Sequence, residues 1–206
     1  MSNKNEFKPY ISADKVLPEL TITSIITGLI LAVVFGAANA YLGLRVGMTI
    51  SASIPAAVIS MGIIRVIMRR NSILENNMVQ TIGSAGESLA AGAIFTLPAL
   101  FMWAAESSSV AAPSFWNIAM LGLFGGILGV LFMIPLRNAL IVEEHGVLPF
   151  PEGTACAEVL LAGEEGGSSA KAVFSGLGLA AVFKFVVDGI KVVPADVCAA
   201  FKSFKG

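Results

Sequence analysis

Charge is scarce in this chain. Asp, Glu, Lys and Arg make up 13% of its 206 residues, about half the share of an ordinary soluble domain. There is one histidine, His145, and there are two cysteines, Cys156 and Cys198. The cysteines lie far apart without CxxC or zinc spacing, so no disulfide framework, metal site or other cofactor is implied. Glu143-Glu144-His145 looks like a metal cluster only superficially, because the lone histidine has no second partner at ligand spacing. GLGLA, from Gly176, lies inside an apolar run and is not a dinucleotide loop. No Ser–His–Asp set or aspartyl pair at intramembrane depth points to hydrolysis. The formal net charge of −1 says nothing about partners, and no nucleic acid is expected. The first 19 residues are hydrophilic and the next apolar stretch is too long for a signal-peptide core, so no signal peptide is visible.

Apolar sequence fills the space that charge leaves. Hydrophobic residues reach 56% and the mean hydropathy is +0.83. These values predict an all-α integral membrane protein, a polytopic helical bundle within a lipid bilayer. A crossing needs about 20 apolar residues. Five segments are candidates, near 20–44, 46–64, 76–103, 115–136 and 171–193. The last is weakest, because Lys184 and Asp188 fall inside it. They lie one helical turn apart and can pair with each other or meet a substrate carboxylate and amine.

The short connections divide by charge. Lys4, Lys8 and Lys15 lie in the 1–19 tail, Arg65, Arg69 and Arg70 follow the second span, and Arg137 and Lys171 bracket the stretch before the fifth. The loop AESSSVAAPS has no Lys or Arg. Lys/Arg bias therefore places the N-terminus and segment 137–170 in the cytoplasm. Residues 20–206 are then the N-terminal part of a membrane domain. Five crossings would put Lys202 and Lys205 outside, which fits poorly and suggests a chain cut before its next helix.

Small residues repeat at helical spacing: Gly28, Ala32, Gly36 and Ala40; Gly122, Gly125, Gly126 and Gly129; Gly176 and Ala180. Such ladders are read as packing seams. Pro55 and Pro98 predict kinks or local unwinding. Between Tyr41 and Met48, LGLRVG places Arg45 between Gly43 and Gly47. It reads either as a tight hairpin or broken helix, the device that builds midplane sites in many transporters, or as an interfacial turn with a snorkelling arginine.

The strongest single signal is Glu87, the only charge between Asn76 and Trp103. A carboxylate at that depth costs roughly 2.5–3.5 kcal/mol on insertion scales. Asn77, Gln80, Ser84 and Glu87 recur three or four residues apart and form one polar stripe. The stripe either lines a wet pathway or pairs structurally with another helix. Further on, Pro149-Phe150-Pro151-Glu152-Gly153-Thr154 predicts a rigid entry to a short cytoplasmic-side helix. Pro151 suits its first turn, Glu152 its positive end, and Gly163 can close it.

Three stretches resemble the oligopeptide transporter (OPT) family, with closer likeness to its bacterial members and the yellow stripe-like metal-chelate branch. They are NAYLGLRVGMTISASIPAAVISMGI, ENNMVQTIGSAGESLAAGAIFTLPAL and VEEHGVLPFPEGTACAEVL. The resemblance implies an N-terminal fragment of a secondary active, proton-driven importer of small peptides in a bacterial inner membrane, with the rest of the transporter chain missing. Glu87 would then carry the proton, while Gln80 and Ser84 would bond substrate amides. The same residues allow metal-chelate or siderophore-like cargo. A membrane-embedded enzyme using Glu87 lacks an evident nucleophile. A non-transporting scaffold would leave Glu87 without a task.

Overall fold

The computed structural model describes residues 9–12, 14–69, 72–107, 111–165 and 167–190. Helix α1 is Ile22–Val46, α2 Ser53–Met61, α3 Ile73–Glu106, α4 Phe115–Arg137, α5 Pro151–Glu165 and α6 Gly167–Lys184. Short π-helical turns follow α2 (Gly62–Ile67), α4 (Asn138–Glu143) and α6 (Phe185–Ile190). No strand occurs among the described residues, and the all-α membrane class stands. Ile22–Val46, Ile73–Glu106 and Phe115–Glu143 are long and apolar enough to cross a bilayer. The shortest of them, 25 residues, extends about 37 Å at helical rise, against a hydrocarbon core of about 30 Å.

The chain divides into two compact units, Met1–Glu164 and Glu165–Gly206. In the first, α1 and α3 form the central pair. Their ends are fixed by side chains. Thr21 and Ser24 bond each other's backbone N–H at 3.1 and 3.0 Å, a reciprocal capping box that starts α1. Ser72 caps α3 and also donates to the Pro18 carbonyl at 2.9 Å. Thr21 Oγ1 donates to the fully buried Glu75 at 2.6 Å, fastening the two helix starts together.

The first small-residue ladder is the α1–α3 seam. A Cβ on Gly28 would stand 2.7 Å from Ile82 Cβ, and one on Gly36 would stand 3.1 Å from the Gly86 carbonyl oxygen. A Cβ on Gly86 would overlap the Ala32 carbonyl oxygen, and no side chain fits between backbones that close, which is why the pair depends on glycine there. The ladder on α4 behaves differently. Gly122 has Leu89 Cδ1 at 3.6 Å, while Gly125, Gly126 and Gly129 have no atom within 4 Å of a Cβ position. None of α4 is buried, so beyond the Gly122–Leu89 contact the seam expected there has no partner among the described residues.

The expected span 46–64 is not one helix. α1 continues through the LGLRV segment to Val46 and ends at Gly47, whose φ of 75° is left-handed and whose N–H reaches the Gly43 carbonyl at 2.9 Å. Residues 48–52 carry no helix, and α2 has only nine residues before its π turn. The chain does break near the expected place, but after Arg45 rather than around it. Pro55, expected to kink a span, falls in the first turn of α2, where a missing N–H costs nothing. α3 runs continuously through Pro98.

The short helix expected from Pro151 is present as α5. Its last turn meets the end of α2: Gly163 lies against the Met61 thioether and its carbonyl accepts a hydrogen bond from Arg65. In the second unit, α6 starts earlier than the expected 171 and ends in the π turn that holds Asp188. Residues 191–193 of the expected fifth span, together with Lys202 and Lys205, lie outside the described residues, as do Lys4, Lys8, Arg70 and Cys198.

Candidate functional site

The break between α1 and α2 is held by α3. Glu87 is 6% exposed. Its Oε2 accepts the backbone N–H of Ala52, the residue that caps α2 without any side-chain bond of its own. A carboxylate from another helix thus fills the place of an N-cap side chain, next to the positive end of the α2 dipole. Asn39, on α1, completes the clamp. Its Nδ2 donates to the Glu87 carbonyl at 3.3 Å and its Oδ1 accepts the Ile50 N–H at 3.0 Å. Two polar side chains from two long helices therefore satisfy an irregular stretch of backbone that would otherwise lie unpaired in an apolar bundle.

The start of α5 comes to the same place. Ser51 Oγ is 3.4 Å from Glu87 Oε1 and also hydrogen-bonds Glu152 Oε1. Glu152 sits in the first turn of α5, beside Pro151, where a carboxylate suits the helix dipole. The hydroxyls of Ser51 and then Ser53 hold its carboxyl below the usual range. The starts of two short helices, α2 and α5, thus converge on Ser51 between Glu87 and Glu152.

A cavity of about 460 Å³ opens along the α3–α5 side. Asn77 and Gln80 supply its amides, Gly153, Cys156 and Leu160 line it from α5, and Pro9–Ile11 close one edge. Gln80 Nε2 lies 3.9 Å from the Cys156 thiol. Its volume lies in the ordinary range for small-molecule pockets, about 300–1,000 Å³, and the lining is mainly apolar with a few placed amides.

The sequence-derived site is thus divided. Asn77 and Gln80 share the cavity, and Glu87 sits at the helix break. Ser84 bonds back to the Thr81 carbonyl at 3.2 Å within its own helix. Arg45 donates to the Tyr41 hydroxyl at 2.6 Å and stands over that ring, so it is engaged one turn back on α1. Gly43 is helical and packs against Ile94, while Gly47 carries the left-handed turn. Pro149 precedes α5, and Thr154 Oγ1 bonds the Phe150 carbonyl at 2.9 Å, tightening that entry. Lys184 and Asp188 belong to the second unit. Two contributors were absent from the sequence reading. Asn39 is the one amide in α1, a signal that was available. Ser51 gave none, because its role depends on where an irregular segment runs.

The family model described as OPT oligopeptide transporter protein matches residues 19–203. A Haemophilus influenzae protein named "Putative oligopeptide transporter" is 44% identical over 163 residues, covering 78% of this chain and 24% of the relative. No solved structure matches the chain. With a match over nearly its whole length, carried by the same helices that build the Glu87 clamp, this chain belongs to the OPT oligopeptide transporter family.

Proposed function

We propose that the chain forms part of a proton-coupled importer of small peptides in a bacterial inner membrane, with its tail in the cytoplasm and Glu87 as the coupling acid. The observation that carries this reading is the Glu87 clamp. A buried carboxylate in an apolar helix holds the backbone where α1 and α2 part. In this reading its charge state acts on that segment.

Magnitudes support the coupling. A hydrogen bond to a charged group contributes about 1.5–3 kcal/mol, against about 0.5–1.5 for a neutral pair. The helix dipole adds about 0.3–1 kcal/mol for an anion at its N-terminus. Protonating Glu87 thus weakens its hold on α2 by roughly 1–3 kcal/mol, a shift of about 5- to 150-fold in a two-state equilibrium. Asn77 and Gln80 face the cavity and would meet the amides of a bound peptide. A substrate amine near Glu87 would favour its ionised form and so link cargo to proton.

The test is uptake by the full-length protein in proteoliposomes. Labelled di- and tripeptides should accumulate under an imposed pH gradient and only equilibrate without one. Accumulation of metal-loaded amino-carboxylate chelates in place of peptides would replace the cargo. Accumulation that ignores the pH gradient would remove the proton.

A further inference from the structure

Ser51 lies between two carboxylates and has one hydrogen to give. A serine hydroxyl donates once and accepts at most twice. Ser51 Oγ already stands 3.4 Å from the Ser53 N–H, which occupies one acceptor position. Ser53 Oγ stands at 3.4 Å as well, so the one Ser51 hydrogen and its remaining acceptor position are left among that hydroxyl, Glu87 Oε1 at 3.4 Å and Glu152 Oε1. If both carboxylates are ionised, Ser51 can satisfy only one, and the other faces an oxygen without a hydrogen. A single added proton completes the set. One carboxyl donates to Ser51, and Ser51 donates to the other.

We propose that Glu87 and Glu152 hold one proton between them through Ser51, and that this linked pair is the proton-carrying unit. The proposal rests on the proton-coupled reading and refines it. The transfer balances within the three side chains. The Glu87 O–H bond breaks as its proton joins Ser51 Oγ, and the original Ser51 proton leaves for Glu152. Serine ends neutral, one carboxylic acid has become a carboxylate, and the other has done the reverse. Because Glu87 also caps α2 through Ala52 while Glu152 opens α5, the proton's position decides which short helix keeps an anion at its start. Two carboxylates sharing one site favour one shared proton, since like charges disfavour double ionisation, and because the hydroxyls of Ser51 and Ser53 favour the ionised form of Glu152, that proton rests on Glu87 until it is passed on.

Among the described residues, no cation bonds Glu87. On α1 the side chain that reaches it is the neutral amide Asn39, and Arg45 is engaged with Tyr41. In the π turn after α2 the cation is Arg65, bonded to the Gly163 carbonyl. On α3 the other acids are Glu75, bonded to Thr21 at the start, and Glu106 in the last turn. On α5 the nearest ionisable group after Glu152 is the Cys156 thiol, which feels both carboxylates, and Glu158, Glu164 and Glu165 follow toward the other end.

The full-length protein would be examined by infrared difference titration. The wild type should show one protonated-carboxyl C=O band persisting at neutral pH, and that band should vanish in both Glu87→Gln and Glu152→Gln. Either amide supplies through its N–H the hydrogen that the proton gave. Ser51→Ala should lose the band's neutral-pH persistence, and Ser51→Thr should restore it. Survival of the band in Glu152→Gln, or its absence from the wild type, overturns the shared proton. Transport separates this from the wider reading. Glu152→Gln and Ser51→Ala should lose accumulation driven by a pH gradient while keeping peptide exchange. If both accumulate normally and only Glu87→Gln fails, the pair is wrong and Glu87 acts alone. If Glu87→Gln also accumulates normally, the proton-coupled reading itself fails, whatever the infrared band does.

Discussion

Asn39 bridges the Ile50 N–H and the Glu87 carbonyl. Asn39→Ala would take the acceptor from the Ile50 N–H, at a cost of about 0.5–1.5 kcal/mol, the net worth of a typical hydrogen bond. Thermal denaturation of the full-length protein in detergent should show a clear drop in midpoint, and Asn39→Asp should fall between, because it keeps the acceptor for Ile50 but not the donor. An unchanged midpoint in Asn39→Ala would mean that the linker is held by something else. At this scale the sequence was informative where polarity is rare. A lone charge in an apolar run marked Glu87, because burial without a purpose is too costly. Ser51 was illegible for the opposite reason: serine is common, inexpensive to bury, and acquires meaning only from a path that no periodicity encodes.

The elements divide along the same physical line. The three long helices were legible because each is a long, nearly uncharged run whose backbone groups must be satisfied within the segment. Residues 46–64 read as a fourth by the same criterion, yet the chain leaves helix at Gly47 and re-enters it at Ser53. Hydropathy sees only apolar content, and an apolar linker clamped by Glu87 and Asn39 has as much of it as a helix. The local signs of the break were Gly47 and Pro55. Gly47 carries a left-handed φ of 75°, so Gly47→Ala should cost about 1 kcal/mol. Gly43 is different: it faces Ile94, whose Cγ2 would stand 3.0 Å from an added Cβ. Overpacking of that kind costs about 1–3 kcal/mol. Gly43→Val should therefore destabilise the α1–α3 pair and abolish uptake, and Ile94→Ala in the same chain should recover part of the stability. No recovery would mean that Gly43 matters for a reason other than this contact.

For the molecule as a whole, membrane class and family were within reach of the sequence, while the meeting of α2 and α5 at Ser51 was not. That convergence joins residues 36 and 101 positions apart, and nothing local to any one of them announces it. Orientation still rests on charge: Lys and Arg crowd one set of connections, so the tail is expected in the cytoplasm. A cysteine at Ser108, in a chain without Cys156 and Cys198, should react with an impermeant thiol reagent in intact cells. Protection there with labelling at Gly166 would reverse the topology.

Whether the charge of Glu87 is coupled to transport decides between a coupling acid and a structural clamp. Peptide accumulation by full-length Glu87→Gln in proteoliposomes, with and without an imposed pH gradient, asks that directly. The neutral amide copies the protonated acid, so substrate exchange should continue while gradient-driven accumulation disappears, and Glu87→Asp should be intermediate. Wild-type accumulation with wild-type pH dependence in Glu87→Gln would make Glu87 a structural clamp and nothing more.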